Sequence, residues 1–188
     1  MAPFRFNFPQ WDSDLLVLIN SKRSEWLDSL MTAISNHWVF AIVCAVVCIL
    51  IAYKCRKNGL TAIFFLIGGL AAASGLNNLL KIIVRRPRPC ESLLGSINIL
   101  EDCGDAFSFF SAHSSNAFCL ALFSSLLLRN KWYAIIINIW AVTVAYSRLY
   151  VGKHYPLDVL CGIIFGSAIG FLTFELFSLY KTSKLQQT

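Results

Sequence analysis

Histidine, arginine and lysine side chains that could handle a phosphate group recur near the ends of apolar stretches in this 188-residue chain. Lys81, Arg88 and Arg148 supply three positive charges, and the planar guanidinium groups of the arginines match the geometry of phosphate oxygens. Two of the three histidines, His113 and His154, belong to the same set. Cationic donors and imidazoles can bind and transfer a phosphoryl group, so the sequence predicts phosphate chemistry.

The spacing of His154 and Asp158 predicts a nucleophile and the group that orients it. Pro156 is favoured as the first residue of a helix, which puts Asp158 in the first turn and His154 just before it. The carboxylate can then hold one ring nitrogen while the other attacks phosphorus. His113, on another helix, is the predicted general acid that protonates the departing oxygen and later activates water.

Ser111 and the residues after it predict an anion site at the start of a helix. The amides of Ala112 and His113 would point at a bound phosphate, where the helix dipole also favours negative charge. The predicted phosphate-binding residues are therefore Lys81, Arg88, Ser111, Ala112 and Arg148. Ser147 has two interpretations, a phosphate contact or a backbone hydrogen bond at a helix end. No set of carboxylates or histidines is spaced to hold Mg²⁺ or Zn²⁺, so we predict neither metal nor cofactor.

Apolar stretches must position these side chains. With 57% hydrophobic residues, 14% charged residues and a mean hydropathy of +0.63, the chain is too apolar for an ordinary soluble domain. Five stretches approach the length of a bilayer span, at 31–53, 60–80, 109–128, 132–146 and 157–179, the fourth with a possible extension through 147. Segments 11–20 and 24–35 mix apolar and charged residues, which is typical of helices in the membrane interface.

The predicted fold class is an all-α polytopic membrane helix bundle. We predict one phosphatase domain over 1–188, with interfacial helices at 1–30, a transmembrane bundle at 31–179 and a cytoplasmic tail at 180–188. The beginning of the chain does not resemble a cleavable signal peptide. In an up-and-down bundle, the ends that carry the polar residues all lie at one surface.

The charges of the connections predict an orientation. Seven basic residues lie between spans one and two, between spans three and four, or after span five, and these connections share one side of the membrane: Lys54, Arg56, Lys57, Arg129, Lys131, Lys181 and Lys184. Such residues would face the cytoplasm, which places the candidate site on the outer side of a bacterial inner membrane. Cys90 and Cys103 share one outward loop with 12 residues between them. An oxidising compartment would allow them to form a disulfide, which we predict.

Three sequence motifs resemble those of the type 2 phosphatidic acid phosphatases and the related haloperoxidases. The first has Lys81, Arg88 and Pro89, the second runs through Phe110-Ser111-Ala112-His113, and the third has Ser147-Arg148 with His154 and Asp158. The middle motif departs from the family, which usually has Pro and Gly where this chain has Phe110 and Ala112. The resemblance implies the same roles: His154 as nucleophile, Asp158 as the group that orients it, His113 as general acid, and the cations as phosphate ligands.

The resemblance also implies a lipid substrate. Candidates are a polyprenyl diphosphate, lipid A, phosphatidylglycerophosphate or phosphatidate, of which the first two best suit a site with no inserted domain over it. The predicted partners are therefore a lipid phosphate and the bilayer, with no nucleic acid and no protein partner identified. The alternative is a catalytically silent bundle that binds or moves a phospholipid. Haloperoxidase chemistry is a further rival, but enzymes of that kind are typically soluble.

Some residues near the motifs have simpler interpretations. Arg85, Arg86 and Lys153 are predicted interfacial anchors, and His37 a residue of the amphipathic belt. Asn77 is either a contact between helices or support for the site. Six glycines suit close helix packing, namely Gly68, Gly69, Gly75, Gly162, Gly166 and Gly170, of which the last three share one helical face.

Overall fold

Helices make up most of residues 6–186, the part of the chain that this computed structural model describes. The helices are α1 (Gln10–Ser21), α2 (Glu25–Ser35), α3 (His37–Cys55), α4 (Gly59–Val84), α5 (Pro89–Ser92), α6 (Ala112–Leu128), α7 (Lys131–Tyr150) and α8 (Pro156–Leu185). A single 3₁₀ turn, Arg56–Asn58, joins α3 to α4. The all-α prediction is confirmed.

Three stretches are long and apolar enough to cross a membrane: His37–Ser92, which contains α3 and α4, Lys131–Tyr150 and Pro156–Lys184. Helix α6 is apolar but shorter, with 17 residues. These lengths and compositions confirm a polytopic membrane protein, whereas the count of five spans stays a prediction.

The helices differ from the predicted spans at several ends. Helix α3 begins at His37 rather than at 31, since the side chain of Asn36 accepts a hydrogen bond from the Trp38 N–H (2.8 Å) and starts the helix there. Helix α7 continues to Tyr150, and α8 reaches Leu185, past the predicted end at 179. Residues 1–5 of the predicted interfacial segment and 187–188 of the predicted tail lie outside the described residues.

Helix α6 occupies the middle of the bundle and contacts α3, α4, α7 and α8. The glycine face of α8 packs directly on the backbone of α6 and of the residue before it. A Cβ atom added to Gly162, Gly166 or Gly170 would lie 2.7, 2.1 or 2.7 Å from the carbonyl oxygen of Ser111, Ser115 or Cys119, respectively. The close-packing prediction is confirmed for this face. It is wrong for Gly68 and Gly75, which have open space where a Cβ would be.

The two N-terminal helices lie against the bundle rather than within it. Both contact α7, and α1 also contacts α8. Helix α1 is amphipathic, with one face buried (Asp12, Leu16, Asn20) and one face exposed (Trp11, Leu15, Leu18). The buried face holds two polar residues, so α1 has polar contacts with the protein as well as an apolar surface.

Candidate active site

One end of the bundle brings together the C-terminal ends of α4 and α7 and the N-terminal ends of α6 and α8. The Ser111 N–H donates a hydrogen bond to the Asp158 carbonyl (3.0 Å), which joins the starts of α6 and α8. The His154 N–H donates to the Arg148 carbonyl (3.3 Å), which joins the end of α7 to the loop before α8. The predicted convergence of the polar residues is therefore what the fold produces.

His154 and Asp158 face each other at the start of α8. The His154 Nδ1 atom lies 3.7 Å from Asp158 Oδ2 and 3.4 Å from the Ser108 hydroxyl oxygen. Ser108 also donates a hydrogen bond to Asp158 Oδ2, and the Tyr155 N–H donates to the same oxygen (3.1 Å). Helix α8 begins at Pro156, as predicted, and this places the carboxylate beside the ring. With Nδ1 turned to these acceptors, Nε2 is the nitrogen available to a substrate.

The protonation state of His154 suits a nucleophile. Burial lowers the pKa of His154 to about 4, and the nearby carboxylate of Asp158 opposes this shift without cancelling it. The imidazole is consequently neutral near pH 7, with a lone pair on one ring nitrogen.

Three cations surround this pair, and all are buried: Lys81 is 8% exposed, Arg88 9% and Arg148 2%. Arg88 donates from Nε to the Ala106 carbonyl (2.6 Å), and Arg148 donates from Nη1 to the Ser35 carbonyl (3.3 Å). The Nε atom of Arg148 has no hydrogen-bond partner among the described residues. Buried cationic donors of this kind are suited to an incoming oxyanion.

Helix α6 begins where the middle motif ends. Ser111 is its N-cap and accepts hydrogen bonds from the N–H (3.4 Å) and hydroxyl (2.9 Å) of Ser114. Ala112 is the first helical residue and does not have a positive φ, so alanine is accommodated where the family usually has glycine. Asn77 donates to the Phe110 carbonyl and thus supports the loop that enters α6.

His113 lines a cavity of about 250 Å³. Arg148 lines the same cavity, together with Thr32, Ser35, Asn36, His37, Glu101 and Lys153. A second cavity runs from His113 between α3 and α6, lined also by His37, Phe40, Ala112 and Asn116. His37 is exposed, as a belt residue would be, but its side chain lines both cavities.

A carboxylate that the sequence analysis did not single out lies at this cavity. Glu101 is 3.1 Å from the Lys153 Nζ atom and 3.6 Å from Arg148 Nη2. Although burial alone would raise the pKa of Glu101, Arg148 and Lys153 lower it, so the carboxylate is charged. The prediction of Lys153 as an interfacial anchor is wrong, because its ammonium group is ion-paired beside the candidate site.

Arg86 is also not an interfacial anchor. It is 4% exposed, and it donates from Nη1 to Asp158 Oδ1 (2.8 Å) and from Nη2 to Asp12. The rings of Phe8 and Tyr155 lie on it, 3.8 and 3.7 Å from the guanidinium carbon. Arg85 next to it is exposed, in agreement with an anchor.

The structure also shows the contacts of Ser147 and of the two cysteines of the predicted disulfide. The Ser147 hydroxyl donates to the Val144 carbonyl (2.7 Å), which favours the backbone interpretation over a phosphate contact. Cys90 and Cys103 form a disulfide, with Cα atoms 6.1 Å apart, and Cys90 lies two residues after Arg88. Among residues 6–186, no group of three or more His, Cys, Asp or Glu side chains is arranged to hold a metal ion.

Comparison with known proteins identifies the family. The profile of the PAP2 superfamily matches residues 62–181, which include every residue of the three motifs. The chain belongs to the PAP2 superfamily. The predicted family is thereby confirmed.

The relatives of this PAP2 chain are phosphatases. It is 31% identical to a lipid A 4'-phosphatase of Bacteroides thetaiotaomicron, over 93% of this chain and 80% of the relative. It is 32% identical to an undecaprenyl-diphosphatase of Sulfolobus acidocaldarius, over 93% of this chain and 82% of the relative. The crystal structure of Aquifex aeolicus LpxE superposes with a TM-score of 0.75 at 25% identity, covering 92% of this chain and 99% of that one.

This PAP2 chain is accordingly a phosphoric ester hydrolase, and with its apolar helices it is a membrane lipid phosphatase of the PAP2 type. The prediction of a phosphatase is confirmed, and its independence of a metal stays a prediction.

Proposed function

We propose that this enzyme hydrolyses a lipid phosphate through a phosphohistidine intermediate on His154. In the first step, Nε2 attacks the terminal phosphorus, and the bond from that phosphorus to the oxygen that stays with the lipid breaks; this is the ester oxygen of a monophosphate or the bridging oxygen of a diphosphate. His113 gives its proton to that oxygen. The observation that carries this proposal is the contact of Nδ1 with Ser108 and Asp158, which leaves Nε2 free. The carboxylate stabilises the imidazolium that forms.

The second step returns the enzyme to its starting state. His113, now neutral, takes a proton from water, and the hydroxide attacks phosphorus as the bond to Nε2 breaks. Inorganic phosphate leaves, His154 is neutral again, and His113 is protonated for the next substrate. The position of His113 in the lining of the cavity supports this role, since both the lipid oxygen and water must reach its ring.

We further propose that protein cations alone neutralise the phosphate, without a metal. Lys81, Arg88 and Arg148 are buried together, and burial strengthens their attraction for an oxyanion. Activity should therefore survive EDTA. Orthovanadate, which adopts a five-coordinate geometry like that of the displacement, should inhibit. Loss of activity in EDTA with rescue by Mg²⁺ would contradict the proposal.

The substrate that we propose is a polyprenyl diphosphate or lipid A, rather than phosphatidylglycerophosphate or phosphatidate. The connection between α5 and α6 contains no inserted domain that would enclose a small headgroup, which supports a bulky one. Relatives named for lipid A and for undecaprenyl diphosphate support the same choice. Phosphate release should be measured in detergent from all four lipids. A preference for phosphatidate over the two bulky lipids would contradict the choice.

We also propose that the enzyme lies in a bacterial inner membrane with its active site facing the periplasm. The basic connections at the opposite end of the bundle support this orientation. Reporter fusions after Ser96 and after Asn58 should report opposite sides of the membrane, with Ser96 outside. The reverse result would refute the orientation.

A further inference from the structure

The contacts of Arg86 connect the nucleophile to helix α1. Its two terminal nitrogens bind two different carboxylates, Asp158 at the start of α8 and Asp12 on α1. Asp12 in turn accepts a hydrogen bond from the Leu157 N–H (2.8 Å), next to Asp158 in the chain. The three charged groups therefore form one hydrogen-bonded unit with the first turn of α8.

This unit is sealed from solvent. Both carboxylates have no exposed surface, and Arg86 is 4% exposed. Phe8 and Tyr155 lie on the guanidinium plane and restrict its rotation. A buried charge in such a place is costly unless it is paired, so each member requires the others.

The two oxygens of Asp158 have different partners. Oδ1 accepts from Arg86 (2.8 Å), whereas Oδ2 accepts from Ser108 and the Tyr155 N–H and faces the ring of His154. Because Arg86 fixes one oxygen, the other is held towards Nδ1. The position of Arg86 thus determines the rotation of the carboxylate that orients the nucleophile.

The charges suggest why Asp12 is present. Arg86 alone would cancel the charge of Asp158, and the imidazolium formed on attack would then face a neutral pair. With Asp12 the three groups carry one net negative charge, which is available to the imidazolium.

We infer that Asp12 and Arg86 are positioning residues for the reaction, acting on His154 through Asp158. The inference rests on the proposed role of His154 and adds to it that the interfacial helix α1 supplies part of the catalytic unit. Neither residue touches the lipid, so their loss should lower kcat and leave KM unchanged.

The test is a double-mutant cycle between Asp12 and Asp158. Asp12→Asn should lower kcat about tenfold or more, within the range of couplings in one hydrogen-bond network, with KM changed less than twofold. In an Asp158→Asn background, the same change should alter kcat less than twofold, because Asp12 acts on His154 through the Asp158 carboxylate, which that background lacks. Single-turnover measurements with excess enzyme keep slow variants measurable.

The matched control is Asp14→Asn, on the same helix but with an exposed side chain; it should leave both constants unchanged. Arg86→Lys keeps the positive charge but lacks the two terminal nitrogens that bind both carboxylates, so it should behave like Asp12→Asn in the same cycle. It replaces Asp12→Asn in the test if Asp12→Asn does not fold. An equal loss in both backgrounds, or no loss in Asp12→Asn, would overturn the inference. Full activity of His154→Ala would instead overturn the proposed function.

Discussion

The substitution Gly166→Ala tests whether the contact between α6 and α8 sets the geometry of the site. A Cβ atom at Gly166 would lie 2.1 Å from the Ser115 carbonyl oxygen and 2.7 and 2.8 Å from two other backbone atoms of Ser115. Such contacts are not observed below 3.0 Å, so the two helices must separate by about 1 Å. Backbone, unlike the end of a side chain, cannot rotate away.

The separation should affect both stability and catalysis. Overpacking costs about 1–3 kcal/mol of the free energy of unfolding. The same shift would move Ser111 and His113 on α6 away from Asp158 on α8, and a displacement of about 1 Å in a reacting geometry can cost roughly 10²-fold in rate. We therefore expect a lower unfolding temperature and a kcat/KM reduced by up to about 10²-fold.

The assay is thermal unfolding in detergent together with phosphate release from the same preparations. Gly75→Ala is the matched control, because a Cβ there meets nothing within 4 Å, and it should change stability by about 1 kcal/mol or less. If Gly166→Ala and Gly75→Ala were equally stable and equally active, close packing of the glycine face would not position the site.

Three further predictions concern the loop, the nucleophile and Ser147. Removing the Cys90–Cys103 disulfide by Cys103→Ser should lower the free energy of unfolding by about 3 kcal/mol, as for a loop of roughly 15 residues. The variant should therefore unfold at a lower temperature than the wild type without reductant and at the same temperature with it. Mass spectrometry that finds both thiols free in unreduced protein would refute the pairing. Since burial lowers the pKa of His154 to about 4, kcat/KM should fall on the acidic side only as the pH approaches 4, and an acidic limb near 6.5 would contradict a neutral buried ring. Ser147→Ala should retain activity within about threefold, because its hydroxyl is bonded to the Val144 carbonyl, whereas a loss like that of Ser111→Ala would indicate a phosphate contact.

The sequence was sufficient to predict the end of the bundle at which the motif residues meet. Alternating apolar stretches fix which helix ends share a surface, and the residues at those ends, such as Arg148 and His154, then have few other places to lie. The glycine face of α8 was also predictable, since Gly162, Gly166 and Gly170 repeat at a spacing of four.

The roles of Arg86, Asp12 and Glu101 were not predictable in the same way. A single arginine near a span end has the same local pattern whether it faces the interface or a buried carboxylate, and its partner Asp12 is 74 residues away in the chain. One signal was present: Asp12, Leu16 and Asn20 share one helical face, and polar residues on the face that a helix packs against the protein indicate buried partners. Glu101 lies in a loop, where periodicity carries no information about position.

Phosphoenzyme trapping tests the proposed mechanism most directly. A ³²P-labelled ester with an activated leaving group does not need an acid, so His113→Ala should still transfer phosphate to His154 but release it slowly, by about 10²–10⁴-fold. The label should accumulate on His154 and be stable to base, and His154→Ala should show neither label nor turnover. Turnover of His154→Ala at the wild-type rate, or label on any residue other than His154, would contradict the mechanism.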